Sequence, residues 1–118
     1  MRWAVPEAEF VDPGTLGCQG CGGTLSMRMV LKALGERTIV ALPACCWSII
    51  AGPWPQSSLK VPLLHTAFET GASAASGIKA ALLARGDTET TVMAWACLLY
   101  TSDAADESSR GGGGGGGG

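Results

Sequence analysis

The sequence predicts an α/β fold built around a mostly parallel sheet. Short runs rich in β-branched or apolar residues alternate with longer stretches of helical spacing, and glycine or proline separates the two kinds of segment. Such alternation is typical of strands joined by crossover helices. In sheets of this kind, ligands bind beyond the carboxyl ends of the strands.

The first regular elements follow an irregular N-terminal segment. Thr24 is placed to cap a helix through its hydroxyl, apolar residues then recur at helical spacing, and Gly35 offers a left-handed stop. We therefore expect a helix from about Leu25 to Leu34. The run from Thr38 to Leu42, ended by Pro43, predicts a strand that is buried on both faces of a parallel sheet.

A long loop is expected after this strand, because two prolines forbid a continuous element through residues 52–58. Residues 61–65 predict a second short strand. Residues 71–84 predict a helix of mostly small side chains, in which Gly77 costs about 1 kcal/mol relative to alanine. Close packing or a ligand is the expected reason for Gly77. Residues 90–96 predict a third strand.

The last part of the chain has a separate origin according to its sequence. Residues 97–107 are what a common transposase sequencing adapter encodes in one reading frame, and residues 111–118 are all glycine. A native flexible linker is the alternative, but it does not account for the adapter-like stretch. We therefore expect residues 1–96 to be the N-terminal part of a larger domain, and residues 97–118 to be a non-native adapter and poly-Gly tail.

The composition of residues 1–96 excludes several classes of partner. Basic and acidic side chains are equal in number, so neither a nucleic acid nor a membrane surface is predicted. No apolar run approaches the ~20 residues that a membrane span needs, and we expect a soluble cytoplasmic protein. In such a chain, cysteines favour metal or redox chemistry over a disulfide framework; residues 1–96 contain Cys18, Cys21, Cys45 and Cys46.

Cys18 and Cys21 lie one tight turn apart, just before the predicted first helix. Neighbouring glycines let backbone amides turn toward the sulfurs, and the positive end of the helix dipole favours thiolate. Cys46 follows a predicted strand and offers a third thiol, whereas Cys45 is interpreted as a small buried apolar residue. The spacing leaves three alternatives open: structural zinc, a dithiol redox pair and an iron–sulfur site.

Longer segments resemble a known family. They are GCQGCGGT at residues 17–24, LPACCWSIIAGP at residues 42–53 and LLHTAFETG at residues 63–71. These segments resemble the beta subunits of the 2-oxoacid:ferredoxin oxidoreductase family, pyruvate:ferredoxin oxidoreductase (pyruvate synthase) in particular. The resemblance runs in unbroken register from about Asp12 to Ala96, which is far more specific than a single C-x-x-C motif.

The resemblance implies a truncated thiamine diphosphate-binding fold that also carries a 4Fe-4S cluster. It implies Cys18, Cys21 and Cys46 as cluster ligands, and Gly22, Gly23 and Cys46 as thiamine diphosphate contacts. The implied reaction is the oxidative decarboxylation of pyruvate or another 2-oxoacid to acyl-CoA and CO2, with ferredoxin as electron acceptor. The implied partners are the other subunits of the complex, ferredoxin, coenzyme A and the 2-oxoacid.

One part of the family pattern is missing from the chain. After the third strand the family continues with Gly-Asp-Gly, which begins the loop that holds Mg²⁺ and the diphosphate. This chain has Cys97-Leu98-Leu99 at that point. We therefore expect the literal chain to be inactive, and we do not assign Cys97 as the fourth cluster ligand.

The sequence contains two further polar residues of interest, His65 and Glu69, and it leaves one alternative function open. His65, the only histidine, is either a proton donor near substrate or a hydrogen-bonded residue that ends a short strand. Glu69 is expected to be an acid in the first turn of the helix that begins at Gly71. The alternative to an oxidoreductase is a small zinc-binding interaction module without catalysis.

Overall fold

The computed structural model describes residues 4–53 and 55–96. The elements of this part are α1 Gly22–Leu34, β1 Thr38–Pro43, α2 Cys46–Ile50, β2 Leu63–Thr66, α3 Gly71–Ala84 and β3 Thr91–Ala94. Trp54 and residues 97–118, which include the predicted tail, lie outside the described residues.

The three strands form a parallel sheet in the order β2-β1-β3. The central strand pairs with both neighbours, and Val40 lies opposite Leu63 of β2 and Met93 of β3. Parallel neighbours need a crossover, and α3 supplies it by passing from β2 over β1 to β3. The predicted α/β architecture with a parallel sheet is confirmed.

The hydrophobic core lies between one face of β1 and the helices α1 and α2. Alternate β1 side chains point toward these helices, and the sequence provides apolar residues at those positions. Burial of Trp47 is complete, and that side chain is the largest in this core. The other fully or almost fully buried members are Met27, Leu31, Val40, Leu42, Ile50, Ala51, Leu59 and Val61.

The opposite face of β1 packs against α3, and the contact is closest where the helix begins. A Cβ atom on Gly71 would lie 3.0 Å from two ring carbons of Pro43. Only glycine fits there without moving the helix or the strand. Both β1 faces are thus covered, as the sequence predicted for this strand.

Backbone hydrogen bonds and ion pairs hold residues 9–12 of the N-terminal segment against α1 and against residues 58–60. The amide of Asp12 donates to the carbonyl of Ser58 at 2.7 Å, and that of Lys60 donates to the carbonyl of Phe10 at 2.9 Å. Glu9 accepts from Arg28 through both carboxylate oxygens, at 2.6 and 2.8 Å. The almost fully buried Lys32 also reaches Glu9, at 2.6 Å.

Several element boundaries differ from the sequence predictions. Helix α1 begins at Gly22 with Cys21 as its N-cap, three residues before the expected start, so Thr24 lies inside the helix. Helix α2 occupies part of the segment that was expected to be loop. Five residues are too few to show a helical period, which explains why α2 was missed.

Two predictions about α3 have different outcomes. Gly77 is exposed, and a Cβ atom added there would meet no described atom within 4 Å, so the expected close packing is not found, while a ligand at this glycine stays a prediction. The prediction for Glu69 was wrong, because Glu69 precedes the N-cap, Thr70, and the first turn of α3 contains no acidic residue. Among the described helices, none has the length and hydropathy needed to cross a membrane.

Candidate functional site

The two cysteines of the C-x-x-C motif lie at either end of a tight turn. The amide of Cys21 donates to the carbonyl of Cys18 at 3.1 Å. Gly20 has a φ of +72°, a conformation that residues with a side chain rarely adopt. The glycine therefore lets the chain reverse direction directly before α1, and Cys21 becomes the N-cap of that helix.

The environment of Cys21 favours the thiolate. The Thr24 hydroxyl and then the backbone amides of Thr24 and Gly23 lower the pKa of the Cys21 thiol, and burial opposes them only in part. The amides face the sulfur without forming a well-aligned capping hydrogen bond. Thr24 Oγ1 is buried and has no well-formed hydrogen bond with any described residue. These groups therefore lower the pKa of the Cys21 thiol by stabilising the negative charge of the thiolate electrostatically.

The second pair of cysteines belongs to the start of α2. Cys45 is the N-cap, and its amide donates to Ser48 Oγ at 3.2 Å in a reciprocal capping arrangement. Cys45 is half-buried against the core, which agrees with the apolar interpretation, but its capping role was missed. The signal was a polar residue three positions after it, as in a capping box. Cys46 is exposed at the first position of the helix.

A single buried side chain connects the two cysteine segments. Trp47 Nε1 donates to the carbonyl of Gly23 at 3.3 Å, and this links the first turn of α2 to the first turn of α1. Trp47, directly after Cys46, thereby contacts Gly23, two residues after Cys21. Trp47 is therefore a packing residue.

All four described cysteines are free thiols, and Cys18 and Cys46 are exposed. The turn places Cys18 and Cys21 together. Within residues 4–53 and 55–96, however, no three Cys, His, Asp or Glu side chains converge into a group that could hold a metal ion. The donor chemistry of the two cysteines in the turn suits a thiolate-ligated metal.

The carboxyl edge of the sheet contains a cavity of about 190 Å³. Its lining is mostly apolar and comes from the ends of β1 and β3, the segment between β2 and α3, and the start of α3. The lining residues are Pro43, Phe68, Glu69, Gly71, Ala72, Ala94 and Ala96. This position is where ligands bind in open parallel sheets. The predicted fold indicated a ligand site at this edge of the sheet, but the sequence did not indicate that these residues would line it.

Two buried polar atoms at the same edge have no hydrogen-bond partner among the described residues. They are Thr66 Oγ1 at the end of β2 and Trp95 Nε1 directly after β3. Buried polar groups are nearly always paired in complete structures, so these atoms support a bound group or further chain at this edge.

His65 and Glu69 lie on different parts of this edge. His65 is on β2 opposite Leu42 and is exposed, and its imidazole forms no hydrogen bond or ion pair with any described residue. The prediction of a hydrogen-bonded histidine therefore has no support within the described part. Glu69 lines the cavity.

A larger cleft, about 440 Å³, lies between the N-terminal segment and α1. Its charged groups are already paired, since Arg28 binds Glu9 at 2.6 Å and Lys60 binds Asp12 at 3.1 Å. The free thiols, and the unpaired Thr66 Oγ1 and Trp95 Nε1 of the sheet edge, do not line this cleft. We therefore place the candidate site at the cysteines and the sheet edge.

Comparison with known proteins identifies subunits of oxidoreductases as relatives of this chain. The chain is 48% identical over 100 residues to the ketoisovalerate oxidoreductase subunit VorB of Pyrococcus furiosus, a match covering 80% of this chain and 32% of the relative. It is 44% identical over 92 residues to the pyruvate synthase subunit PorB of Methanothermobacter marburgensis, covering 78% and 32%. No family model matches.

The parallel α/β fold and these relatives together indicate a subunit of an oxidoreductase. The chain belongs to the family of beta subunits of 2-oxoacid:ferredoxin oxidoreductases, which confirms the resemblance seen in the sequence. It spans about a third of the length of the curated relatives it matches.

Proposed function

We propose that residues 1–96 are the N-terminal part of the thiamine diphosphate-binding domain of such a beta subunit. The complete enzyme oxidises pyruvate or another 2-oxoacid to acyl-CoA and CO2 and passes the electrons to ferredoxin. The observation that carries this proposal is the pair of free thiols in one turn, tied through Trp47 to the helix that begins with Cys46. It occurs in a chain whose relatives are named as oxidoreductase subunits.

Cys18, Cys21 and Cys46 are proposed as three ligands of a 4Fe-4S cluster. Thiolates are the usual ligands of such clusters, and the lowered pKa of Cys21 favours the form that binds iron. When bound, the cluster supplies one-electron acceptance. The chain contributes a preformed turn for two ligands and, through the contact between Trp47 and Gly23, a fixed distance between that turn and α2.

Thiamine diphosphate is proposed to contact Gly22, Gly23 and Cys46, near the carboxyl edge of the sheet. A Cβ atom on Gly22 would meet no described atom within 4 Å, so the backbone there is open to an approaching group. When bound, thiamine diphosphate supplies the carbanion chemistry of decarboxylation. Thr66 Oγ1 and Trp95 Nε1 offer unpaired hydrogen-bonding atoms at the same edge.

Mg²⁺ and the diphosphate need the Gly-Asp-Gly loop that Cys97-Leu98-Leu99 replaces. We therefore propose that the literal chain is inactive. The proposed partners are the other subunits of the complex, ferredoxin, coenzyme A and the 2-oxoacid, and no nucleic acid or membrane. The proposed location is the cytoplasm.

The experiment that tests this function uses the chain completed to the length of its relatives and produced together with its partner subunits. We expect reduction of ferredoxin that depends on both coenzyme A and a 2-oxoacid, with pyruvate and 2-oxoisovalerate as the first substrates. A Cys45→Ala variant should retain this activity. One stoichiometric zinc without turnover would contradict the proposal and favour a zinc-binding interaction module.

A further inference from the structure

The turn between Cys18 and Cys21 has the geometry of a disulfide-forming pair. A hydrogen bond of 3.1 Å closes the turn, from the amide of Cys21 to the carbonyl of Cys18. The ends of such a turn have Cα atoms less than about 7 Å apart, and disulfides join residues whose Cα atoms are about 4.4 to 6.8 Å apart. The turn therefore brings the two residues within the Cα separation that a disulfide requires.

The two thiols differ in their access to solvent. Cys18 is exposed and not part of a helix, whereas Cys21 is half-buried at the N-cap of α1. A small disulfide reagent in solution therefore reaches Cys18 first. Cys21 is then the nearest thiol that can displace the reagent from Cys18.

The other described cysteines lack an equivalent arrangement. Cys45 is half-buried, caps α2 and faces the core, while the adjacent Cys46 is exposed at the first position of that helix. Side chains of adjacent residues diverge in extended backbone, and Cys45 is extended. The C-x-x-C turn is thus the preferred place for intramolecular oxidation among the described thiols.

We propose that Cys18 and Cys21 of the metal-free protein form a disulfide by exchange with a small disulfide such as oxidised glutathione. The Cys18 sulfur attacks the reagent, forms a mixed disulfide and releases one glutathione thiol. The Cys21 sulfur then attacks Cys18 and releases the second. The two cysteines lose two protons and two electrons in total, and the reagent gains them.

This bond would convert the turn from a pair of metal ligands into a closed form that cannot bind iron. That consequence rests on the proposed function, because it assumes that both sulfurs are cluster ligands. Formation of the disulfide itself does not depend on it. The two claims can therefore fail separately.

The test uses the 118-residue chain with the substitution Cys97→Ser. The protein is reduced, freed of metal and then equilibrated with a mixture of reduced and oxidised glutathione. Peptide mapping by mass spectrometry should find the bond between Cys18 and Cys21. The equilibrium constant for its formation should be about tenfold larger in buffer than in concentrated urea, because the folded turn holds the thiols together.

Two variants serve as matched controls. Cys46→Ser should leave the equilibrium constant unchanged. Gly20→Ala should lower it several-fold, because the turn needs a φ of +72° at this position. An equilibrium constant that is the same with and without urea, or a dominant disulfide that includes Cys45 or Cys46, would overturn the inference. Iron content of the completed chain tests the ligand assignment independently.

Discussion

At the scale of single residues, the chemistry of this chain depends on where each cysteine sits relative to a helix start. Cys21 and Cys45 are both N-caps, of α1 and α2, and both are half-buried. The exposed thiols are Cys18, three residues before Cys21, and Cys46, directly after Cys45. Each helix start therefore has one half-buried sulfur at its N-cap and one exposed sulfur within three residues of that cap.

The sequence predicted the tight turn between Cys18 and Cys21 but not the cap of the helix that follows it. A C-x-x-C motif beside glycines is readable as a turn before a helix. The cap was assigned to Thr24 because hydroxyls are common caps, whereas the structure gives that position to Cys21. The contact between Trp47 and Gly23 joins residues 24 positions apart, which no local pattern reports.

Glu9 gives a prediction about acid stability. Hydrogen bonds from Arg28 and Lys32 lower the pKa of the Glu9 carboxyl from 4.5 to about 2. A carboxyl whose pKa is lower in the folded state stabilises the fold above its unfolded pKa. We therefore expect the contribution of Glu9 to be complete above pH 4.5 and to disappear as the pH falls toward about 2.

The measurement compares urea unfolding of the parent chain and Glu9→Gln at several pH values. The variant should be less stable at pH 7, and the difference should shrink steadily below pH 4.5. Glu7→Gln is the matched control, because Glu7 is exposed and has no ion pair with any described residue. A difference between Glu9→Gln and the parent chain that is independent of pH would show that the charge of Glu9 is not responsible.

At the scale of elements, the order of helices and strands followed from periodicity and from glycine and proline punctuation. Helix α3 has the predicted bounds, since glycines stand at its start and just after its end. Helix α2 was missed because it is a single short turn in a proline-rich segment. Its formation depends on tertiary contacts, above all the complete burial of Trp47.

Two glycines of α3 give opposite predictions for the same substitution. Gly71→Ala places a Cβ atom 3.0 Å from the rigid ring of Pro43, and we expect a loss of about 1 to 3 kcal/mol of stability from overpacking. Gly77→Ala meets no described atom within 4 Å, so we expect a gain of up to about 1 kcal/mol from helix propensity.

Urea unfolding of both variants measures these two effects. Each is the control for the other, because helix, substitution and method are the same. A Gly71→Ala variant as stable as the parent chain would mean that α3 does not approach β1 as closely as described. A destabilised Gly77→Ala would mean that another surface covers this position.

At the scale of the whole molecule, the chain spans about a third of a relative's length, and its described part forms a three-stranded parallel sheet. The unpaired Thr66 Oγ1 and Trp95 Nε1, and the cavity between the strand ends, show where this edge lacks partners among the described residues. The sequence could predict the sheet because strands and helices leave local patterns. The convergence of distant residues at the edge depends on topology.

The predicted adapter origin of residues 97–118 can be tested on the source DNA. If Cys97-Leu98-Leu99 derives from a sequencing adapter, reassembly of the source DNA through codon 96 should restore Gly-Asp-Gly at these positions and, farther on, another cysteine. Sequencing an independent clone makes the comparison. Recovery of the same adapter-like codons, continuing into an open reading frame, would show that the tail is native.

The ligand assignment is tested most directly by the iron and sulfide content of the completed chain, purified without oxygen. We expect stoichiometric iron and sulfide in the parent protein and in Cys45→Ala, and a strong loss of both in the single serine variants of Cys18, Cys21 and Cys46. A colourless parent protein without iron would contradict the account, and so would a Cys46→Ser variant that retains the full iron content.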